Sequence, residues 1–353
     1  VAGAAFLLER QAAPPLQRIL ASTVSTPERE VRWLVRETIA MRPWQMGPSP
    51  SNRLHDGSLD SQQGRLGSSP ELLRVAADEI LQWARAGGTL PPARLWRAHL
   101  PSGLQVLLLE ADHLYARDGN PYLGPDGRDW SDNGIRFGLL ARVAALLSSG
   151  DSPLTWRPQV LHCNDWQTGL APAYLHYLHA GRAAASVITV HNLSFTGLFA
   201  YPLLADLGLP SHAFRFDAVE FHGRLSFLKA GLQFADRITT VSPTYADEIL
   251  RPEFGCGLEG LLQHRRDRLG GILNGIDTAV WDPASDPALE VRYDVDTLGR
   301  KRDGRTALQR ALGLEVQHAG PVLGVISRLT EQKGLDLLLQ SADRLLGQGM
   351  QLA

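Results

Sequence analysis

Val160-Leu161-His162-Cys163-Asn164-Asp165 and Val187-Ile188-Thr189-Val190-His191-Asn192 decide the fold of this chain. Each is a short apolar run, partly β-branched, that breaks onto polar residues. Strands buried on both faces of a parallel sheet read this way. Three further runs repeat the pattern: Ile238-Thr239-Thr240-Val241-Ser242, Ile272-Leu273-Asn274-Gly275 and Val322-Leu323-Gly324-Val325-Ile326-Ser327-Arg328. Most are followed by helical patterns, and this β-α alternation from about residue 104 onward predicts a doubly wound α/β sheet. In such sheets the ligand lies outside the carboxyl ends of the strands. Asp165, His191, Asn192, Ser242, Asn274 and Arg328 are therefore expected along one crevice.

Working outward, Gln105 to Glu110 reads as a strand and Phe137 to Leu147 as a helix. Trp166 to Ala180 reads as a helix capped by Asp165 and stopped at Gly181, and Leu225 to Ala235 as another. Ser242-Pro243 opens a helix to about Leu250, with Pro at a favoured first position. Upstream, Thr26-Pro27 predicts a helix to about Met41, and Ser69-Pro70 a second one ending at Gly87-Gly88. Residues 43–69 are rich in Pro, Gly, Ser and Asn and read as a linker. Three segments result: an unassigned region, 1–98; a Rossmann-like domain, 99–275; and a hinge with the opening of a second, incomplete domain, 276–353.

The 353 residues are 44% hydrophobic and 20% charged, with a formal charge of −2, which supports a globular chain and offers nothing to nucleic acid or an anionic membrane. No apolar run approaches the ~18 residues of a membrane span. Cys163 and Cys256 make neither a metal-ligand spacing nor a disulfide framework. A reducing, cytoplasmic setting and no metal or other cofactor are expected.

Arg328 and Lys333 bracket an expected helix start with Thr330 as its cap. A helix N-terminus already carries about half a positive charge, so cations there call for an anion, and free N–H groups with Arg and Lys suit a diphosphate. Glu331 offers an alternative, local neutralisation. His191 at a strand end reads either as a hydrogen-bond partner within the fold or, beside Asn192, as a group for sugar hydroxyls. Asp165 reads equally as a ligand acceptor or as a helix cap. Gly255-Cys256-Gly257-Leu258-Glu259-Gly260 matches G-x-G-x-x-G, but it follows a helical pattern instead of a strand, which argues against dinucleotide binding.

Together these stretches resemble the bacterial glycogen synthase and plant starch synthase family from about Leu104 onward. The resemblance is carried by Asn120-Pro121-Tyr122, His162-Cys163-Asn164-Asp165-Trp166-Gln167-Thr168-Gly169 and Thr189-Val190-His191-Asn192-Leu193-Ser194. It extends through Phe227-Leu228-Lys229-Ala230-Gly231-Leu232, Thr240-Val241-Ser242-Pro243-Thr244-Tyr245, Gly257-Leu258-Glu259-Gly260-Leu261-Leu262, Leu273-Asn274-Gly275-Ile276-Asp277 and Ser327-Arg328-Leu329-Thr330-Glu331-Gln332-Lys333-Gly334-Leu335-Asp336.

The resemblance implies a GT-B fold of two Rossmann-like domains facing a cleft. It implies retaining transfer of glucose from ADP-glucose to the non-reducing end of glycogen or another α-1,4-glucan, without a metal. Carried over by motif, His191, Arg328 and Lys333 would be catalytic. Asp165, Asn192, Asn274, Tyr122 and Gly257 would bind substrate. The family's Lys-Thr-Gly-Gly loop has no counterpart in residues 1–88, and its Glu motif and last Gly-rich loop would lie beyond Ala353. Little transfer by this chain alone is therefore expected. A related GT-B enzyme with another donor, and a glucan-binding protein without turnover, are the alternatives.

Overall fold

The computed structural model describes residues 4–9, 34–41, 71–72, 89–91, 93–99, 105–117, 121–154, 156–181, 183–316, 318–327 and 331–353. The expected linker 43–69 and most of the expected helices after Thr26 and Ser69 lie outside them. The described strands are β1 (Ala4–Glu9), β2 (Leu34–Met41), β3 (Glu71–Leu72), β4 (Arg94–His99), β5 (Gln105–Glu110), β6 (Val160–Asn164), β7 (Ala185–Val190), β8 (Leu198–Phe199), β9 (Glu220–Phe221), β10 (Arg224–Ser226), β11 (Arg237–Thr240), β12 (Leu269–Gly271), β13 (Val322–Leu323) and β14 (Gln351–Leu352). The described α-helices are α1 (Asp112–Tyr115), α2 (Asn133–Leu147), α3 (Leu170–Leu178), α4 (Leu203–Asp206), α5 (Phe227–Phe234), α6 (Pro243–Glu248), α7 (Glu259–His264), α8 (Lys301–Ala311) and α9 (Leu335–Gly347).

Two compact units divide the chain, Val1–Asn274 and Gly275–Ala353. The first holds a nine-stranded sheet in the order β12-β11-β7-β6-β1-β2-β5-β4-β3. Strands β6, β7, β11 and β12 run parallel, as the β-branched runs of the first three predict. Beyond β6 the sheet becomes mixed, because β1 runs antiparallel to both β6 and β2. Leu34–Met41 is a strand, not the end of the expected helix: it pairs with β1 on one side and β5 on the other. Hydrogen bonding to two neighbours overrides a local helix-start signal. Glu71–Leu72 likewise pairs with β4 instead of opening a helix.

One face of the parallel block carries Leu161, Cys163, Ile188, Val190 and Ile238, all buried in the core with residues of α2, α3 and α5. Helix α2 is apolar nearly all round and almost wholly buried, as a helix enclosed by its neighbours must be. Its buried Arg136 and Arg142 donate to backbone carbonyls, Leu114 O at 2.9 Å and Leu207 O at 3.1 Å respectively. Close crossing of α3 and α5 depends on two glycines. A Cβ on Gly169 would fall on the carbonyl oxygen of Phe227, and one on Gly231 would meet Ile188 Cδ1.

Two runs are shorter or shifted relative to expectation. Strand β12 is Leu269–Gly271, and only the Ile272 N–H continues the ladder, to Thr240 O at 2.8 Å. There Gly271 passes directly against the Ser242 carbonyl, and the chain leaves the sheet before Asn274. In the second unit β13 is two residues long and runs parallel to β14. Helix α9 starts at Leu335, not near Thr330: Glu331–Lys333 forms its own 3₁₀ turn, and left-handed Gly334, at φ 67°, separates it from the helix. No helix among the described residues is long and apolar enough to cross a membrane.

Candidate active site

Alternation along β6 and β7 puts His162, Asn164 and Thr189 on one face, because side chains two apart share a side. His162 and Asn164 on β6, Thr189 on β7, His191 just beyond it and Thr239 on β11 make up that face. His162 Nε2 lies 2.6 Å from Thr189 Oγ1, which lies 2.6 Å from Thr239 Oγ1, so a hydrogen-bonded row crosses three strands. Burial pushes the His162 imidazole down to about 4, and the neighbouring His191 adds to the shift. His162 is therefore neutral at physiological pH.

At the carboxyl edge the row meets Asp165. Its backbone stands at φ 53°, a left-handed conformation uncommon outside glycine. Two bonds hold it there: the Asp165 N–H donates to Thr189 O at 2.9 Å, and Asp165 Oδ1 accepts the His191 N–H at 2.7 Å. Asp165 makes no side-chain cap to the 3₁₀ turn Trp166–Thr168 that follows. Of its two sequence readings the helix cap is thus overturned: the carboxylate reaches sideways to the end of β7. Burial pushes its pKa up, opposed by the N–H groups of His191 and Asn192.

His191 is exposed, and its Nε2 lies 3.1 Å from Oδ1 of buried Asn164. Asn164 is fixed in turn by Thr168, whose hydroxyl accepts the Asn164 N–H at 2.7 Å and donates to Asn164 O at 2.9 Å. Asn192 Oδ1 accepts the Ser194 N–H at 3.0 Å, closing a tight turn, and the next N–H, of Leu193, donates to the Tyr245 hydroxyl at 3.0 Å. Tyr245 follows the Ser242 cap of α6, whose hydroxyl accepts the Tyr245 N–H at 2.8 Å. The 191–194 turn is thus tied to β6 on one side and to α6 on the other.

Tyr122 is half-buried beside this turn's neighbours. Its ring stacks on Phe137 at 5.9 Å and lies 6.5 Å from Trp166, the residue after Asp165. Burial pushes its hydroxyl up to about 12, moderated by a hydrogen bond with the Gln167 side chain. Gly257, at φ 80°, packs against Phe221 and His222, and its neighbour Cys256 places Sγ 3.9 Å from Ser194 Oγ. The glycine spacing around it is preceded by α6 and turns and leads into α7, so no strand feeds it as a dinucleotide site requires.

The structure thus brings Asp165, His191 and Asn192 together, with Tyr122 reached through Trp166 and Gln167, and Gly257 reached through Cys256 and Ser194. Asn274 is exposed in the segment after β12, three residues beyond the strand's end. Lys333 is exposed in the second unit at the end of its 3₁₀ turn. Arg328 lies outside the described residues. Sequence reasoning missed Asn164, Thr168 and Tyr245 as supports of the site. The period of two on β6 could have placed Asn164, whereas nothing local marks Tyr245, fifty-two residues from its partner Leu193.

Chemically, the edge offers a carboxylate, an exposed imidazole and short polar side chains, a set suited to neutral polyols. No group of three or more His, Cys, Asp or Glu side chains among the described residues could hold a metal ion.

Comparison with known proteins gives a consistent result. Residues 72–264 match the profile of the starch synthase catalytic domain. A glycogen synthase of Dechloromonas aromatica is 58% identical over 256 residues, 72% of this chain and 52% of that protein. One from Rhodopseudomonas palustris strain TIE-1 is 54% identical over 268 residues, 76% of this chain and 54% of that protein. Among solved structures, the catalytic domain of starch synthase IV from Arabidopsis thaliana, bound to ADP and acarbose, is 32% identical with a TM-score of 0.63. That match covers 74% of this chain and 53% of the other. The chain spans about half the length of the curated relatives it matches.

Proposed function

The chain belongs to the starch synthase catalytic-domain family, with its α/β GT-B fold, and from that membership we propose that it acts in retaining transfer of glucose from ADP-glucose to the non-reducing end of an α-1,4-glucan such as glycogen. The observation that carries this reading is the Asp165–His191–Asn192 edge, held rigidly by Asn164 and Tyr245 at the carboxyl ends of parallel strands. A preorganised polar edge of this kind is what stabilises charge developing at a sugar carbon. We assign residues 99–275 to a Rossmann-like domain and 276–353 to a hinge and the opening of the nucleotide-binding domain.

In this reading Asp165 and Asn192 hold sugar hydroxyls, and His191 contacts the transferring glucose and supports positive charge at its reacting carbon. Lys333 and Arg328 grip the diphosphate and stabilise it as a leaving group, which takes the place of a metal. Tyr122, Gly257 and Asn274 complete the substrate contacts. Attack by the glucan hydroxyl on the same face from which ADP leaves retains configuration without a pair of carboxylates. We assign the reaction to the cytoplasm, the setting expected from the two cysteines without a disulfide framework.

The test is to offer the purified chain labelled ADP-glucose or UDP-glucose with maltoheptaose, following both binding and incorporation. Binding of ADP-glucose with a small incorporation, as expected for this chain alone, that is lost in His191→Ala supports the reading. Absence of both binding and incorporation overturns it. Maltoheptaose binding with no incorporation identifies a glucan-binding protein.

A further inference from the structure

We propose that Asn164 is a positioning residue that decides which nitrogen of His191 carries the proton. The two ring nitrogens stand in different surroundings. Nε2 points inward to Asn164 Oδ1 at 3.1 Å, whereas Nδ1 makes no hydrogen bond among the described residues. An amide oxygen only accepts, so this contact selects the Nε2–H form and leaves Nδ1 as a bare acceptor on an exposed residue.

Asn164 is built for this task and not for packing. It is 6% exposed, and both its backbone N–H and its carbonyl are held by the Thr168 hydroxyl, so its side chain has a fixed origin. Its Nδ2 is enclosed and has no hydrogen-bond partner among the described residues. An asparagine kept only for stability would not leave a buried donor unpaired, since an apolar residue of the same size would avoid that cost. The enclosed Nδ2 also cannot touch a ligand, so Asn164 acts through His191. The backbone of His191 is independently pinned by Asp165 Oδ1, which leaves ring orientation and tautomer as the freedoms that Asn164 removes.

The consequence rests on the transfer reading above. An Nδ1 acceptor takes a hydroxyl group of the sugar and does not attract a phosphate oxygen, so Asn164 assigns His191 to the sugar and leaves the diphosphate to other residues.

The experiment is nitrogen NMR of the histidine-labelled full chain, with the His191 signal assigned from a His191→Gln sample. The wild type should show Nε2 protonated and Nδ1 bare. Asn164→Leu should melt no lower than wild type, yet move the tautomer ratio about three- to tenfold toward Nδ1–H, the loss of one net hydrogen bond. Asn164→Asp, which keeps an acceptor, should restore the Nε2–H form and keeps the test open if the leucine variant does not fold. A wild-type Nδ1–H form, a ratio unchanged in Asn164→Leu, or a shift toward Nδ1–H in Asn164→Asp each overturns the proposal. No turnover is needed for this readout. The predicted tautomer in a chain that binds neither ADP-glucose nor maltoheptaose would sink the transfer reading and leave the role of Asn164 standing.

Discussion

Asp165 Oδ1 and the backbone N–H of His191 meet at 2.7 Å, although the two residues are 26 apart in sequence and end different strands. The bond joins the carboxyl ends of β6 and β7, and it is made possible by the left-handed backbone of Asp165. Strain of this kind costs about 1–3 kcal/mol and persists only where surrounding bonds over-determine it. Here the Asp165 N–H to Thr189 O and the carboxylate to His191 N–H do so together.

Substitutions at Asp165 separate its charge from its hydrogen bond. Burial raises the folded pKa above 3.8, so the folded state holds the proton more tightly than the unfolded chain. The ionised carboxylate therefore opposes folding at neutral pH, and that opposition fades as pH falls through the folded pKa. Asp165→Asn keeps an oxygen for the His191 N–H and should be as stable as wild type or more so at pH 7. Asp165→Ala removes the acceptor and should cost about 1–2 kcal/mol. Urea midpoints at pH 7 and pH 5 read both effects, and a destabilised Asp165→Asn would contradict the account.

His162 titrates in the opposite sense. Its folded pKa, about 4, lies below the 6.5 of the free imidazole. Between those values the unfolded chain binds more protons, so stability is complete above pH 6.5 and is lost as pH falls toward 4. His162→Gln should flatten this acid limb while lowering stability at pH 8. An unchanged slope between pH 6.5 and 4 would show that His162 is not its source.

The crossing of α3 on α5 should respond to a single methyl group. Gly169→Ala drives a Cβ into the backbone carbonyl of Phe227, whereas Gly231→Ala meets the far end of the Ile188 side chain. Overpacking costs typically about 1–3 kcal/mol. Gly169→Ala should fall at the upper end or beyond, and Gly231→Ala nearer the lower, because the closest atom at Gly231 is a side-chain tip that can yield, with the Gly169 carbonyl oxygen farther off at 3.0 Å, whereas at Gly169 the closest atom is itself a carbonyl oxygen. Thermal unfolding ranks them, and the reverse order would count against the packing described.

Lys229 is buried in α5 and donates through Nζ to Phe216 O at 2.5 Å and Glu220 O at 2.6 Å, beneath the Phe216 ring. Burial lowers its pKa, with Glu220 opposing. Lys229→Met removes both bonds while keeping the stem, and should cost about 2–3 kcal/mol. Limited proteolysis should then cut first between residues 211 and 222. Equal resistance in mutant and wild type would remove Lys229 as the anchor of that loop.

Local pattern carried much of this protein. The runs at Val160 and Val187 are strands, Ser242 caps α6, and α2 and α5 lie close to their expected places. The failures share a cause. Leu34–Met41 carried helix-start signals upstream but pairs on both edges in the sheet. Ile272–Gly275 opens on two apolar residues like the other strand ends but leaves the sheet where Gly271 passes the Ser242 carbonyl. In each case a neighbour distant in sequence decided what the backbone could bond to.

The sequence by itself determined which residues share a face of β6 and β7 and that polar groups end those strands, because side-chain alternation is a property of each strand alone. Its motifs also carried the family. Only the tertiary structure decided that Asp165 serves His191 instead of its own helix, that Asn164 sits against the imidazole, and that Tyr245 holds the turn from fifty-two residues away. Those contacts depend on strand order and register, which are settled by pairing between segments and leave no trace in the local period of either one.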